Sequence, residues 1–210
     1  MIAAAVAVPI AGILYLVVRP TSPGDSSRVA QPPSSSVADA SPADAAAEAA
    51  ATDEDPTTLA AAIARARPLM VDGADGSSAG TLVLLGWSSR HLRWDDVAVD
   101  PDETSYELVQ KDPDGQRGKR LCVSGTIAAM NPVRTDAALF WNGVLNAPRG
   151  RRFAFLAVAS AGALADGSPA RLCGVVTGRS NVAGPGARAA KAVVLVGMFD
   201  LPENRALDRR

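Results

Sequence analysis

The chain begins with an apolar run. Residues Ile2–Val18 carry no charge, and Arg19 follows them directly. A helix over this run would span about 26 Å, close to the roughly 30 Å of a bilayer's hydrocarbon core. The pattern therefore predicts a transmembrane helix over residues 1–19, with an arginine at its interfacial end. A cleaved signal peptide is the alternative, but no small-x-small cleavage site follows the run closely.

Residues 20–54 show neither a helical nor a strand period. They are rich in Ala, Pro, Ser and Asp and contain almost no large apolar side chain. Such a segment cannot bury enough surface to offset the chain entropy that is lost on folding. We therefore expect a disordered linker between the membrane helix and the segment that follows.

A helical period begins at Asp55 and extends over residues 55–104. Asp55 is placed to cap a first helix that has Pro56 in its first turn and ends before Pro68. A second helix follows a loop that contains Gly and Ser. Residues three and four positions apart form a stripe along one face of this second helix: Leu84, Trp87, His91 and Trp94. We expect this stripe to pack on the C-terminal domain, although Leu82–Leu85 also fits the start of a strand.

From Ser105 the apolar period shortens to two, which is typical of strands. The predicted strands are Tyr106–Val109, Lys119–Met130, Ala137–Leu145, Arg152–Ser160, Arg171–Gly178 and Ala190–Asp200. A long strand, a break after the third strand and two strands to finish are the pattern of an OB-like barrel. The predicted fold class is mainly β, a small OB-like barrel at residues 105–205 with one or two preceding helices and a tail at 206–210.

Four motifs carry a resemblance, mostly in this C-terminal half. They are Trp94-Asp-Asp, Gly118-Lys-Arg-Leu-Cys-Val-Ser-Gly-Thr-Ile, Ser168-Pro-Ala-Arg-Leu-Cys-Gly-Val-Val-Thr-Gly-Arg and Leu195-Val-Gly-Met-Phe-Asp-Leu-Pro-Glu-Asn-Arg. On these motifs the chain resembles membrane-anchored proteins of myxobacteria that have an OB-fold-like C-terminal domain. The resemblance implies an architecture. Because it carries no assigned activity, it implies no catalytic residues.

The sequence contains two cysteines, Cys122 and Cys173. Each follows a predicted core leucine, so each side chain points to the opposite face of its strand. The first and fourth strands of an OB-like barrel are antiparallel neighbours, which predicts a cross-strand disulfide. The alternatives are two reduced core thiols, a redox pair, which usually has Cys-x-x-Cys spacing, or half of a metal site. An oxidised pair indicates an oxidising compartment, here the periplasm.

Charge divides the chain into an acidic and a basic part. Residues 20–104 contain 14 acidic and 5 basic side chains, whereas residues 105–204 contain 7 acidic and 12 basic ones. A basic domain attracts polyanions, but it also attracts its own acidic neighbour. Basic and aromatic side chains lie near each other in one stretch, which we predict as a ligand-contact surface: Trp141, Arg149, Arg151 and Arg152.

His91 is the only histidine of the sequence, which limits general acid–base chemistry. Ser88 and Ser89 precede it, and on a continuous helix Asp95 would share its face. The grouping is a fragment of a hydrolytic relay or of a metal site, and each of these needs a third partner. We therefore predict no catalytic residue, no metal site and no cofactor.

Together these patterns predict a single-pass protein of the bacterial inner membrane with its C-terminal domain in the periplasm. The expected function is a non-enzymatic binding or adaptor module for an envelope protein or an anionic polymer. The first alternative is a membrane-tethered hydrolase or redox protein that uses His91 or the Cys122/Cys173 pair. The second is a cytoplasm-facing OB module that binds single-stranded nucleic acid.

Overall fold

A barrel and a layer of helices make up the part of the chain that the structure describes. The described residues of this computed structural model are 55–73, 78–135, 139–183 and 189–206. The predicted membrane helix (1–19) and linker (20–54) lie outside these ranges, as do the last four residues of the predicted tail. Within them, no helix has the length and apolar character that crossing a membrane requires.

Five strands form a closed barrel in the order β1-β2-β3-β5-β4. They are β1 (Arg120–Arg134), β2 (Leu139–Asn146), β3 (Arg152–Ala157), β4 (Pro169–Ala183) and β5 (Ala189–Phe199). β3 and β5 are parallel, and all other neighbouring pairs are antiparallel. The expectation of a mainly β domain is confirmed. β1 and β4 extend beyond their predicted ends because strand length depends on pairing partners that the period does not reveal.

The long first strand bends so that it pairs with two neighbours. Its first half pairs with β4 and its second half with β2, and Thr126 has a partner on each side, Pro169 and Asn146. Gly125 lies at this point, where a Cβ would be 2.3 Å from the carbonyl oxygen of Asn146. The close approach of the strands therefore requires a glycine here.

The alternation along the strands separates an interior core from an outer face. The predicted core residues of β1, Leu121, Val123 and Ile127, are all buried. The interior cluster also includes Leu145, Phe153, Phe155, Leu172, Val176, Val193, Leu195 and Phe199. On the outer side, Cys173, Val175, Val196 and Met198 form a second buried cluster with the helices. The central parts of β4 and β5 are therefore covered on both faces, which explains why Leu172–Val176 and Ala192–Phe199 are almost continuously apolar.

Three helices cover this outer face: α1 (Leu59–Ala66), α2 (Ala79–His91) and α3 (Trp94–Val97). The predicted start of α1 is wrong, because Thr58 caps it by accepting the N–H of Ala61, while the Asp55 carboxylate is bonded to Arg90 and His91. The strand alternative for Leu82–Leu85 is also wrong, since these residues lie within α2. The expected packing of the stripe on the C-terminal domain is confirmed for Leu84, Trp87 and Trp94, the last of which lies in α3, whereas His91 is exposed.

The predicted strand Tyr106–Val109 is a helix. α4 (Tyr106–Lys111) begins where the Ser105 side chain accepts the N–H of Leu108, and α5 (Pro113–Gln116) follows it. A segment of four residues is too short to distinguish the two periods, and the serine cap decides between them. Val109 is buried in the barrel core, so α4 closes one end of the barrel. The chain ends its described part with α6 (Pro202–Ala206).

The acidic helical segment is attached to the basic barrel by ion pairs. Asp72 accepts bonds from Arg179 at 2.7 Å and from Arg117 at 3.0 Å, and Glu103 pairs with Arg120. Burial raises the pKa of the Asp72 carboxyl, but its hydrogen bonds to Arg179 and Arg117 lower it further than burial raises it. Some acidic side chains of the helical segment therefore form ion pairs with arginines of the C-terminal domain of the same molecule.

Gly80 and Gly86 lie in the same helix, α2, and provide a matched test of its packing. A Cβ on Gly80 would be 2.5 Å from the carbonyl oxygen of Ala66, whereas one on Gly86 meets nothing within 4 Å. We expect Gly80→Ala to lower the free energy of unfolding by about 1–3 kcal/mol through overpacking. Gly86→Ala should raise it by roughly 0.5–1 kcal/mol through helix propensity. Urea unfolding measures both, and equal stabilities would contradict the packing of α2 on α1.

Asp72→Asn tests the ion pairs between the two segments. It should lower the free energy of unfolding at pH 7 by about 1–3 kcal/mol, because Arg179 loses its charged partner and Arg117 keeps only its exposed pair with Asp114. Asp72 has a folded-state pKa below its ordinary 3.8, so its contribution is present above the unfolded-state pKa and is lost as pH falls through the folded-state value. Urea unfolding at pH 7 and pH 3 should show a smaller difference between wild type and variant at pH 3. A difference independent of pH would contradict this role.

Candidate ligand-binding pocket

A pocket of about 400 Å³ lies between α4, the first half of β1 and the turn that joins β2 to β3. This volume falls within the range of small-molecule sites, about 300–1,000 Å³. The residues that line it include Ser105, Tyr106, Cys122, Ser124, Arg149 and Arg151, together with one acid, Asp102, whose Oδ1 accepts the N–H of Cys122. Hydroxyl, aromatic and guanidinium groups therefore converge on one concave surface.

Tyr106 forms a fixed wall of the pocket. It is the first residue of α4, directly after the capping Ser105. Its ring packs edge-on against Phe153 of the barrel core, with 5.4 Å between ring centroids. Because Phe153 is buried, this contact gives the ring a definite position.

Arg149 stands at the rim in an unusual backbone conformation. It lies in the short turn Pro148–Gly150 and has a φ of 64°, the left-handed region, which costs a residue with a Cβ about 1–2 kcal/mol. Its side chain is exposed and forms no ion pair with any described residue. Backbone strain of this kind often occurs at functional sites, so the position of Arg149 supports a binding role.

Arg151 is only partly satisfied by the protein. One Nη contacts Glu107 at 2.5 Å, but the Glu107 side chain is 59% exposed, and such surface pairs contribute little. Its Nε is buried and has no hydrogen-bond partner among the described residues. A bound acceptor could therefore share this guanidinium with Glu107, while Arg149 offers a second positive charge.

The predicted cysteine pair borders the same pocket. Cys122 and Cys173 are directly opposed on β1 and β4, with 1.99 Å between the sulfurs and 4.0 Å between the Cα atoms. The N–H of Cys122 donates to Asp102 at 2.8 Å instead of to the facing strand. The expected adjacency of the first and fourth strands and the disulfide-bond distance are both confirmed.

The surroundings of the two sulfurs favour a structural bond over a redox pair. Cys173 has no exposed surface and lies in the apolar cluster between barrel and helices. A thiol that attacked Cys122 would release Cys173 as a thiolate into this apolar surrounding, where a charge is poorly stabilised. Attack on Cys173 itself is blocked by its burial.

The structure brings together only part of the predicted contact surface. Arg149 and Arg151 share the pocket, and Arg152 begins β3 opposite Asn146. Trp141 pairs with Ala157 at the other end of the same hairpin and packs against the barrel core. The β2–β3 hairpin therefore separates Trp141 from Arg149 and Arg151 in space, although these residues are close in the sequence. Tyr106 and Ser105 were missed because that segment was predicted as a strand, although the serine three residues before Leu108 is a recognisable cap.

His91 lies at a different cavity and meets Asp55, not Asp95. Its Nε2 is 3.0 Å from Asp55 Oδ2, and its ring stacks on Trp87 at 5.5 Å. The hydrogen bonds to His91 and Arg90 lower the pKa of the Asp55 carboxyl. Helix α2 ends at His91, so the spacing that predicted Asp95 does not apply. No hydrogen bond joins His91 to a serine in the described ranges, and they contain no cluster of three or more potential metal ligands.

A smaller cleft of about 260 Å³ runs across β2 and β3 on the outside of the barrel. Three asparagines line it, Asn131, Asn142 and Asn181, and the first two are cross-strand partners. It contains no charged side chain among its lining residues, so it does not extend the basic surface at Arg149.

Comparison with known proteins assigns no function to these pockets. No protein-family model matches the chain, and no curated protein sequence matches it. The functional inference therefore depends on the chemistry of the pocket that holds Arg149, Arg151 and Tyr106.

Proposed function

We propose that the chain is a non-enzymatic binding or adaptor module of the bacterial envelope, and that its pocket at Arg149 and Arg151 takes an anionic group of a polymer or partner protein. The N-terminal helix is its single anchor in the inner membrane. The linker at residues 20–54 gives reach, and the barrel works in the periplasm.

The connectivity of the barrel supports its assignment as an OB-fold. OB-folds are five-stranded Greek-key barrels, and here the order β1-β2-β3-β5-β4 closes through a first strand shared by β2 and β4. This barrel differs in the position of its closing helix. The chain between β3 and β4 forms turns, and the helix that closes one end of the barrel, α4, precedes β1 in the sequence. OB-folds serve mainly as binding modules, which agrees with the proposed class of function.

The cysteine pair supports the periplasmic location. Disulfides persist in oxidising compartments such as the periplasm and are rare in the cytosol. The two cysteines are at bonding distance across the strands that close the barrel. A bond there closes a loop of about 50 residues and could add a few kcal/mol of stability to a small domain.

The surroundings of Arg149 are the main support for an anionic ligand. It is exposed, occupies a strained backbone conformation and has no acidic partner among the described residues. Beside it, Arg151 has a buried Nε for which the described ranges contain no acceptor. Two guanidinium groups at a concave, partly aromatic surface match a carboxylate, sulfate or phosphate group.

Arg149→Gln tests this proposal with heparin as a defined anionic polymer. The purified chain in detergent should bind heparin in a salt-dependent manner, and the variant should bind about fivefold more weakly, the effect of losing roughly 1 kcal/mol of exposed ion pairing. Binding is measured by fluorescence anisotropy of labelled heparin. Arg134→Gln is the control, because Arg134 is also exposed but ends β1 away from the pocket.

Equal weakening by both substitutions would show that only overall charge matters and would contradict a site at Arg149. Tighter binding of a single-stranded oligonucleotide than of heparin, lost in the same variant, would instead favour the nucleic-acid alternative.

A further inference from the structure

A second cavity, separate from the Arg149 pocket, has a volume of about 570 Å³. It lies among the start of α1, the end of α2, α3 and the segment that follows β3. Trp87, Leu92 and Val158 provide apolar walls. The indole of Trp87 is fixed, because its Nε1 donates to the carbonyl oxygen of Pro56 at 2.6 Å.

One wall of this cavity is held in a strained conformation. Ala159 has a φ of 63°, which is costly for a residue with a Cβ. Asn204 holds the segment in place, since its Oδ1 accepts the N–H of Ser160 and its Nδ2 donates to the Ser160 and Phe199 carbonyls. Arg149 and Ala159 are the non-glycine residues with positive φ in the described ranges, and each lines a cavity.

Two polar side chains at this cavity, Ser88 and Arg93, lack a hydrogen-bond partner and an ion-pair partner, respectively, in the part of the chain that the structure describes. Ser88 lines it, and the buried Ser88 Oγ has no hydrogen-bond partner among the described residues. Unsatisfied buried groups are rare and commonly mark a missing water or ligand. Arg93 also lines the cavity, is exposed and forms no ion pair with a described residue.

The cavity lining carries one positive charge, the exposed Arg93, and one negative charge, Asp96, which also lies near the Arg120–Glu103 pair. Asp96 accepts the N–H of Arg93 through Oδ2 at 2.9 Å, which leaves its other oxygen available. Arg90 and His91 do not add to this balance, because both are bonded to Asp55. A simple anion would be repelled by Asp96 and a simple cation by Arg93, so the lining favours a ligand that carries both charges.

We propose that this cavity binds a short zwitterionic peptide of about two residues. Its carboxylate is held by Arg93, its ammonium group by Asp96, and its apolar side chain by Trp87, Leu92 and Val158. Ser88 donates to or accepts from the peptide backbone. The proposal is independent of anion binding at Arg149, since the two cavities share no lining residue.

The single histidine of the chain provides a selective readout. His91 lines the cavity, so its imidazole signals in a proton–carbon NMR spectrum of the full chain in detergent report on this site alone. The probes are alanyl-leucine, N-acetyl-alanyl-leucine, which lacks the ammonium group, and alanyl-leucinamide, which lacks the carboxylate. We expect alanyl-leucine to shift the signals saturably and to bind about tenfold more tightly than either blocked form, because each loses one charge-assisted hydrogen bond.

Two variants assign the contacts. Arg93→Gln should abolish the preference for alanyl-leucine over the amide, and Asp96→Asn should abolish the preference over the acetylated form. Asparagine keeps an oxygen for the Arg93 N–H, so α3 retains its N-terminal hydrogen bond. Arg149→Gln, in the other pocket, should leave all three affinities unchanged.

Three results would overturn the proposal. The first is an absence of any shift of the His91 signals with alanyl-leucine. The second is equal binding of the free and blocked dipeptides by the wild-type chain. The third is an unchanged preference in Arg93→Gln and Asp96→Asn.

Discussion

The pairing of β1 with β4 is the interaction on which the other features of this domain depend. It closes the sheet into a barrel, and Cys122 and Cys173 face each other at its centre. Closure encloses the interior core and fixes the opposite face of β4 as the surface on which the helices pack. The same β1–β4 pairing positions the first half of β1 next to α4, where the Arg149 pocket forms. Without this pairing neither core nor pocket would be complete.

The helical layer is attached by two complementary forces. Apolar side chains of α1, α2 and α3 bury the outer face of β4 and β5, and this burial contributes most of the attachment because it removes much apolar surface from water. Ion pairs from Asp72 and Glu103 to barrel arginines add specificity at the edges. Asp72 and Glu103 neutralise Arg117, Arg120 and Arg179. The remaining positive charge of the barrel therefore lies mainly at residues such as Arg149. The charge division of the sequence therefore contributes in part to the attachment of the helices to the barrel.

Much of the architecture could be predicted from the sequence, because the spacing of apolar residues and the residue types indicate it. The alternation around Leu121 and Cys122 indicates both the strand and the face of each side chain, and the OB-like order of the strands predicts that the two cysteine-bearing strands are neighbours. Segments of four residues were ambiguous, as Tyr106–Val109 illustrates, since a helix and a strand can present the same short pattern. The site was predicted less well. Trp141 was grouped with Arg149 by linear proximity, whereas the contacts of Tyr106 and the partner of His91, Asp55, depend on tertiary packing that no local pattern encodes.

The most direct test of a disulfide-closed barrel outside the cytoplasm is the thiol state of Cys122 and Cys173 in the native host. Cells are treated with N-ethylmaleimide, which is small enough to enter both compartments, and the denatured chain is then labelled with a high-mass maleimide, with or without prior reduction, and resolved on a gel. We expect no mass shift until the sample is reduced, after which both cysteines react. A mass shift without reduction, or no mass shift even after reduction, would show free thiols and contradict the bond, and with it the periplasmic location of the barrel.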